Sequence, residues 1–162
     1  MYRSLVADHA ITVLGEDESV WEEFASFAVN VLAPERTLFE KLAAVHDAAS
    51  RNDTAALLKH GRHFYDIHRL VENAQVVAVL DAIDPIEKRK LIDDIDQQSV
   101  AAGFSSTSRP EDGYASSPAF DPDHPARAAI EAGYVAAQQL IYGELISLDD
   151  AFASVHRRRE LL

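Results

Sequence analysis

The segment HGRHFYDIHRL, residues 60–70, sets a single acid among several basic side chains. On a helix, Arg62 lies four residues before Asp66 and Arg69 lies three residues after it, so both guanidinium groups can reach the carboxylate. By angle, Asp66 sits at the edge of an apolar stripe, one turn before Leu70. One interpretation is an ordinary salt bridge. The other is a half-buried carboxylate that acts as a metal ligand, a base or an orienting group.

Lys41 has a similar position on an earlier predicted helix. It lies on the flank of the stripe formed by Leu38, Leu42 and Val45. A lysine at such a place can bury its aliphatic stem and extend its ammonium group to water. If the side chain points into a cleft instead, it is a compact positive charge suited to a triphosphate.

The histidines of the segment do not form a convincing metal set. His60 and His63 are three residues apart, but Gly61 lies between them, and His68 falls on a different helix face. The chain has no HExxH motif and no cysteine that could complete a zinc site. We therefore assign the histidines to the surface or to packing and predict no metal ligand. Catalytic triads, phosphate-binding glycine loops and dinucleotide fingerprints are also absent.

The composition limits the class of protein. The chain has 162 residues, no cysteine and a net charge of −12. Disulfides and thiolate-bound metals are excluded, and an attraction of the whole surface to nucleic acid or anionic membrane is disfavoured. We find no signal peptide and no apolar run of about 18 residues. The lack of cysteine fits a reducing compartment, and we expect a cytoplasmic protein that does not enter a membrane.

Most of the chain has helical periodicity. Pro34 and Asp84-Pro85 mark helix starts, Gly143 marks the end of a helix that begins near Ala126, and Ser147 with Asp150 resembles a capping box. The stretch AQVVAVLDAI fits either a helix or a buried strand. In residues 21–34 the alternation of Phe27, Val29 and Val31 suggests a strand, whereas a helical spacing fits equally well. Residues 103–125, rich in Ser, Gly, Pro and Asp, are predicted to be a long loop.

Two segments in this order resemble a known family. PERTLFEKLAAVHDA, from Pro34, is followed after about two dozen residues by RHFYDIHRL, from Arg62. Together they resemble the second half of the AbiEii/AbiGii-type nucleotidyltransferase toxins. A third segment, GYVAAQQLIYGELISLDDAF, is similar to a late helix of that family, although Gly133 stands where the family often has Asp.

The resemblance implies a polymerase-β-like nucleotidyltransferase with a helical C-terminal part. We therefore expect a mainly α structure with a short N-terminal β portion, that is, an α+β fold. Residues 1–33 would be a remnant of the nucleotidyltransferase sheet, with a strand at Phe27–Leu32. Residues 34–162 would be a helical region containing the loop at 103–125.

The resemblance also implies a function and roles. The chain would transfer a nucleotide from an NTP to an acceptor such as RNA, with Mg²⁺ as cofactor, and a cognate antitoxin would neutralise it. Lys41 and Asp66 would be the catalytic pair, with Lys41 on the nucleotide phosphates. Arg62 and Arg69 would contact phosphate or hold Asp66 in place.

One departure from the family pattern concerns the metal. The early Gly-Ser turn and Asp-x-Asp pair, which supply the principal metal ligands of the family, have no counterpart here. We therefore expect a chain that begins after the catalytic strands and is incomplete or inactive alone. An unpaired strand edge would then self-associate, giving a homo-oligomer, or be covered by the N-terminal residues.

Two other functions remain open at this point. The chain could be a non-enzymatic helical interaction domain, or a degenerate toxin remnant that still binds an antitoxin or a nucleotide. In the simplest alternative, Lys41 and Asp66 only pack and pair locally. Their side chains would then lie far apart on different surfaces.

Overall fold

The computed structural model describes residues 3–162, so the first two residues of the predicted 1–33 segment lie outside it. The structure is 65% helical. It divides into two compact units, one reaching to Leu32 and the other spanning Ala33–Leu162. No described helix is long and apolar enough to cross a bilayer.

The first unit is small. Its helix α1, Leu5–Thr12, begins at Ser4, whose hydroxyl accepts a hydrogen bond from the Ala7 amide. A 3₁₀ turn follows at Glu22–Phe24. The core consists of a few side chains on these two elements, namely Ala7, Ala10 and Phe24 with Ile11 beside them. Such a core holds one helix against one turn and little more.

The predicted N-terminal β portion is wrong. Residues 3–162 form essentially no β-strand, and residues 28–33 have irregular backbone. Phe27, Val29 and Val31 do alternate, but their side chains are about half exposed or more. An isolated alternating segment gains neither ladder hydrogen bonds nor a buried face, so the pattern alone does not make a strand. Without a sheet, the predicted unpaired edge is also absent from the described residues.

The second unit holds the remaining α-helices. They are α2 (Pro34–Ser50), α3 (Thr54–Lys59), α4 (Gly61–Val71), α5 (Ala74–Ala82), α6 (Pro85–Ala101), α7 (Arg127–Ala137) and α8 (Leu148–Arg157). Proline at the first position starts α2 and α6, where its missing amide hydrogen costs no intrahelical bond. Asp53, Asn73, Asp84 and Ser147 accept amide hydrogens at the starts of α3, α5, α6 and α8.

Several local predictions hold and one boundary does not. The stripe on α2, including Leu38, Leu42 and Val45, is fully buried. The ambiguous AQVVAVLDAI stretch is the helix α5. The helix predicted to end at Gly143 instead ends at Ala137 and tightens into a 3₁₀ turn at Gln138–Leu140.

Helix α4 lies at the centre of the second unit, in contact with α2, α7 and α8. Phe64 on α4 meets Phe120 and Phe152, with the three ring centroids 5.6–5.9 Å apart. Residues 103–126 run without α-helix and contain two 3₁₀ turns, Tyr114–Ser116 and Pro118–Phe120. Because one face of α4 is fixed in this core, the basic residues of 60–70 on its other face have fixed positions relative to α2.

Candidate functional site

Helices α2 and α4 bring Lys41 and Asp66 into direct contact. The Lys41 Nζ lies 2.9 Å from Asp66 Oδ2, and the two side chains are 18% and 28% exposed. The alternative in which these residues face different surfaces is therefore wrong. The contact exists because both residues flank the buried stripes of their helices, so packing the stripes together joins the flanks.

His63 completes the surroundings of the lysine. Its Nδ1 lies 3.4 Å from Lys41 Nζ, and its ring stacks on that of His60 at 4.8 Å between centroids. Burial lowers the pKa of His63 to about 4, and the positive charge of Lys41 acts in the same direction. The ring is therefore neutral near pH 7, and its Nδ1 can accept a hydrogen bond from the lysine.

This contact of His63 was not predicted from the sequence. The histidines were predicted to lie at the surface or in packing, without a metal. A usable signal was present, because His63 lies three residues before Asp66 and so shares a helix face with it. What the sequence could not reveal is that α2 covers this face and adds Lys41.

The two predicted arginines differ in position. Arg62 Nε lies 3.6 Å from Asp66 Oδ2, and its side chain is 53% exposed. Arg69 is exposed and makes no ion pair with the described residues. The structure thus brings Lys41, Asp66 and Arg62 together and leaves Arg69 farther along α4.

Positive charge exceeds negative charge around this contact. Lys41 and Arg62 share the single carboxylate of Asp66, while Lys59 is exposed and has no ion-pair partner within the described range. Lys59 and Arg62, together with His63, line a cavity of about 340 Å³ at the start of α4. In a chain of net charge −12, this is a local basic surface. We call the set Lys41, Lys59, Arg62, His63 and Asp66 the basic cluster.

A model of the nucleotidyl transferase AbiEii toxin family, from type IV toxin–antitoxin systems, matches residues 4–154. The chain belongs to this AbiEii family. Membership carries the coarse function of a toxin with nucleotidyltransferase-type activity, paired with a cognate antitoxin. Searches of curated proteins and of solved structures gave no match.

The AbiEii reaction generally uses a divalent metal ion. Mg²⁺ prefers several oxygen ligands in octahedral geometry. Within residues 3–162 no three His, Cys, Asp or Glu side chains come together as a candidate metal set. Asp66 is a single carboxylate, and it already contacts two cations. The described residues therefore do not fit a Mg²⁺ site, and no step is assigned to one.

Gly133, which stands where the resemblance leads us to expect Asp, has a packing role. A Cβ on Gly133 would lie 2.8 Å from the Leu57 carbonyl oxygen, and a Cβ on Gly61 would lie 2.1 Å from the Gly133 carbonyl group. The backbones of α3, α4 and α7 thus meet at two glycines. An aspartate at 133 has no room in this arrangement, because the close approach involves backbone atoms.

A second polar cluster fastens residues 105–117 to α2. Asp47 accepts hydrogen bonds from Arg51, Ser105 and Thr107 at 2.7–2.8 Å. Burial alone raises the pKa of Asp47, but these hydrogen bonds outweigh it and hold the pKa below its ordinary value. We call Asp47 and these three partners the Asp47 clamp.

His46 adds a neighbouring attachment. Its Nε2 lies 3.0 Å from the Ser108 carbonyl oxygen and its Nδ1 lies 2.9 Å from Ser117 Oγ. Because Nε2 faces a carbonyl and must donate, Nδ1 of the neutral ring accepts from the serine. Burial lowers the pKa of His46, which agrees with a neutral ring. Neither the Asp47 clamp nor the His46 contacts were predicted, since nothing in the serine-rich stretch indicates which helix it contacts.

Proposed function

We propose that this chain binds a nucleoside triphosphate through the basic cluster, with Lys41 on the phosphates, as the nucleotide-holding part of an AbiEii nucleotidyltransferase. The observation that carries the proposal is the Lys41–Asp66 contact. It fixes a lysine ammonium group at 2.9 Å from a half-buried carboxylate, beside two further cations. Family membership supplies the reaction class, and the cluster supplies groups that suit it.

The roles follow from charge and position. Phosphoryl and nucleotidyl transfer depend mainly on positioning and on neutralising phosphate charge. The Lys41 ammonium group has three N–H donors. Two of them face Asp66 and His63, so the third is available for a phosphate oxygen. Arg62 can add a second contact, and its planar guanidinium group can bind phosphate in bidentate fashion. Arg69 lies two helical turns beyond Arg62 and would contribute at longer range.

The start of α4 supports an anionic ligand in this place. A helix N-terminus carries partial positive charge and favours acidic residues in its first turn. The first turn of α4 contains no acid, and it carries Arg62 and His63 instead. Within the described part of the chain, no side-chain hydrogen bond caps this end. A bound phosphate would supply the missing negative charge.

The acceptor is proposed to be RNA, reached in the cytoplasm, and a cognate antitoxin would block the toxin. An acidic chain does not attract RNA over its whole surface. The acceptor would therefore approach the basic cluster and few other places.

A non-enzymatic function is the second candidate, and the metal-ligand finding favours it. Because the described residues offer no carboxylate set for Mg²⁺, we propose that this chain alone binds nucleotide without transferring it. A degenerate toxin that still binds nucleotide or antitoxin would behave in this way.

The proposal is tested by calorimetric titration of ATP, with Mg²⁺ present, into the wild type and into Lys41→Ala and Asp66→Ala. We expect saturable binding in the wild type and its loss in both variants, since Asp66→Ala releases Lys41 from its position. Lys90→Ala is the control, because Lys90 pairs with Glu87 on the exposed face of α6. Absence of binding in the wild type would refute the proposal. Radiolabelled transfer to RNA by this chain alone would refute only the non-enzymatic part.

A further inference from the structure

A second cavity of about 380 Å³ adjoins the basic cluster. Its volume falls within the range of small-molecule sites, about 300–1,000 Å³. Helices α2 and α3 and the segment after α6 form its walls. Small apolar side chains contribute to these walls, Ala43 and Ala44 from α2 and Ala56 from α3, and they leave width for a flat group.

The cavity shares residues with the basic cluster. Lys59 lines both this cavity and the smaller one at the start of α4. His60 lines the larger cavity and stacks on His63, whose Nδ1 meets Lys41. One ligand can therefore place an uncharged part in the larger cavity and an anionic part beside Lys59 and Lys41.

The polar groups of the cavity indicate which part is uncharged. Asp47 pairs with Arg51 at 2.7 Å, Glu40 pairs with Arg36 at 3.0 Å, and Ser105 already donates to Asp47. Lys59 is the wall residue whose charge no described side chain balances. Away from Lys59, each charged wall residue thus has a partner and the described wall residues offer no further free cation, which suits an aromatic base and sugar rather than a second phosphate.

An aromatic side chain stands at the wall with most of its surface uncovered. Phe104 lines the cavity and is 70% exposed. An uncovered phenyl ring beside a neutral slot is a surface on which a nucleobase stacks, and such stacking tolerates any base. The Asp47 clamp holds Ser105 and Thr107, so the chain just after Phe104 is fixed to α2.

We propose that this cavity binds the nucleoside of the NTP, with the base against Phe104 and the phosphates passing Lys59 toward Lys41. The inference rests on the proposed function and adds to it a second binding subsite, for the nucleoside. It predicts that nucleotides bind more tightly than inorganic triphosphate, because only the nucleotides fill the cavity.

The test compares the affinities of ATP, UTP and inorganic triphosphate, in Mg²⁺, for the wild type and for Phe104→Ala. We expect both nucleotides to bind about tenfold more tightly than triphosphate to the wild type. Phe104→Ala should remove most of this advantage and leave the triphosphate affinity unchanged. Ala44→Leu, which fills the cavity from the α2 side, should act in the same way.

Tyr142→Ala is the matched control, because Tyr142 is an aromatic residue 94% exposed and outside the cavity. It should keep the full nucleotide advantage. Equal affinities for nucleotides and triphosphate, or an advantage that survives in both Phe104→Ala and Ala44→Leu, would overturn the inference while the proposed function stands. If neither triphosphate nor nucleotide binds the wild type, the proposed function fails and the inference fails with it.

Discussion

Two carboxylates in the second unit, Asp47 and Asp66, have opposite surroundings. Asp47 is 11% exposed, and one guanidinium group and two hydroxyls bind it. Asp66 is 28% exposed and faces two cations, Lys41 at 2.9 Å and Arg62 at 3.6 Å. The first carboxylate has its charge balanced by one cation. Asp66 faces more cations than it can balance, and a third cation, Lys59, which has no ion-pair partner among residues 3–162, lies nearby.

This difference indicates a structural role for Asp47 and a binding role for Asp66. A carboxylate whose hydrogen-bonding capacity is already filled by the fold gains little from a ligand. Its removal by mutation destabilises the fold, because its donors lose their acceptor. A cluster with excess positive charge gains by taking up an anion. The Asp47 clamp is therefore expected to control stability, whereas the basic cluster is expected to control binding.

The largest effect on stability is expected from the clamp. Asp47→Ala removes the ion pair to Arg51 and leaves the hydroxyls of Ser105 and Thr107 without their acceptor. We expect the free energy of unfolding to fall by about 3 kcal/mol, measured by urea denaturation. Asp93→Ala on the exposed face of α6 is the control and should change it by less than about 0.5 kcal/mol. A similar small change for Asp47→Ala would mean that the clamp does not fasten the segment.

A smaller effect on stability is expected from the protonation of His63 in the basic cluster. The pKa of His63 lies at about 4 in the folded chain against an ordinary value of 6.5. Between pH 6.5 and about pH 4, His63 is protonated in the unfolded chain but remains neutral in the folded chain. The free energy of unfolding therefore falls as pH decreases through this range. Lys41, Arg62 and His60 oppose that proton, and Asp66 favours it. We expect a loss of about 1 kcal/mol between pH 7 and pH 5, after allowance for solvent screening.

The comparison that isolates this effect is His63→Gln, which keeps an acceptor for Lys41 but does not titrate. Unfolding free energies at pH 7 and pH 5 are measured for both proteins, because His46 and His60 also have lowered pKa values. The variant should lose less stability than the wild type on acidification. Equal losses in the two proteins would show that His63 titrates normally and is not held by the cluster.

The smallest expected effects distinguish the two arginines. Arg62→Ala should weaken ATP binding about fivefold, because Arg62 lies within reach of the Lys41–Asp66 contact. Arg69→Ala, farther along α4, should weaken it less than about twofold, mainly through a screened long-range charge. Titrations at low and high salt measure both. A larger loss of ATP affinity in Arg69→Ala than in Arg62→Ala would indicate that the phosphates bind farther along α4 than we propose.

The sequence predicted the helical part of the fold well because its signals are local. Pro34, Asp84 and Ser147 mark helix starts by chemistry within one turn. The N-terminal strand was wrong for the converse reason: the alternation at Phe27–Leu32 needs a partner strand, and no local pattern reports whether one exists. The family resemblance favoured the strand, and the described residues of this chain do not form it.

The candidate site was partly predictable. Arg62 and Asp66 share a helix face, so their contact followed from spacing alone. The nearness of Lys41 came only from the family resemblance, since it depends on how α2 packs against α4. The contact of His63 with Lys41 and the cavity beside Phe104 were missed, because each depends on contacts between elements that are distant in sequence.

The most direct test of the account is the affinity of inorganic triphosphate for Lys41→Ala and for Asp47→Asn, measured by calorimetry at a temperature where circular dichroism shows both to be folded. Inorganic triphosphate has no nucleoside, so the cavity beside Phe104 does not enter the comparison. We predict that Lys41→Ala weakens binding about thirtyfold or more and that Asp47→Asn leaves it within about twofold of the wild type. Equal losses in the two variants, or full binding by Lys41→Ala, would contradict the assignment of the basic cluster as the phosphate site.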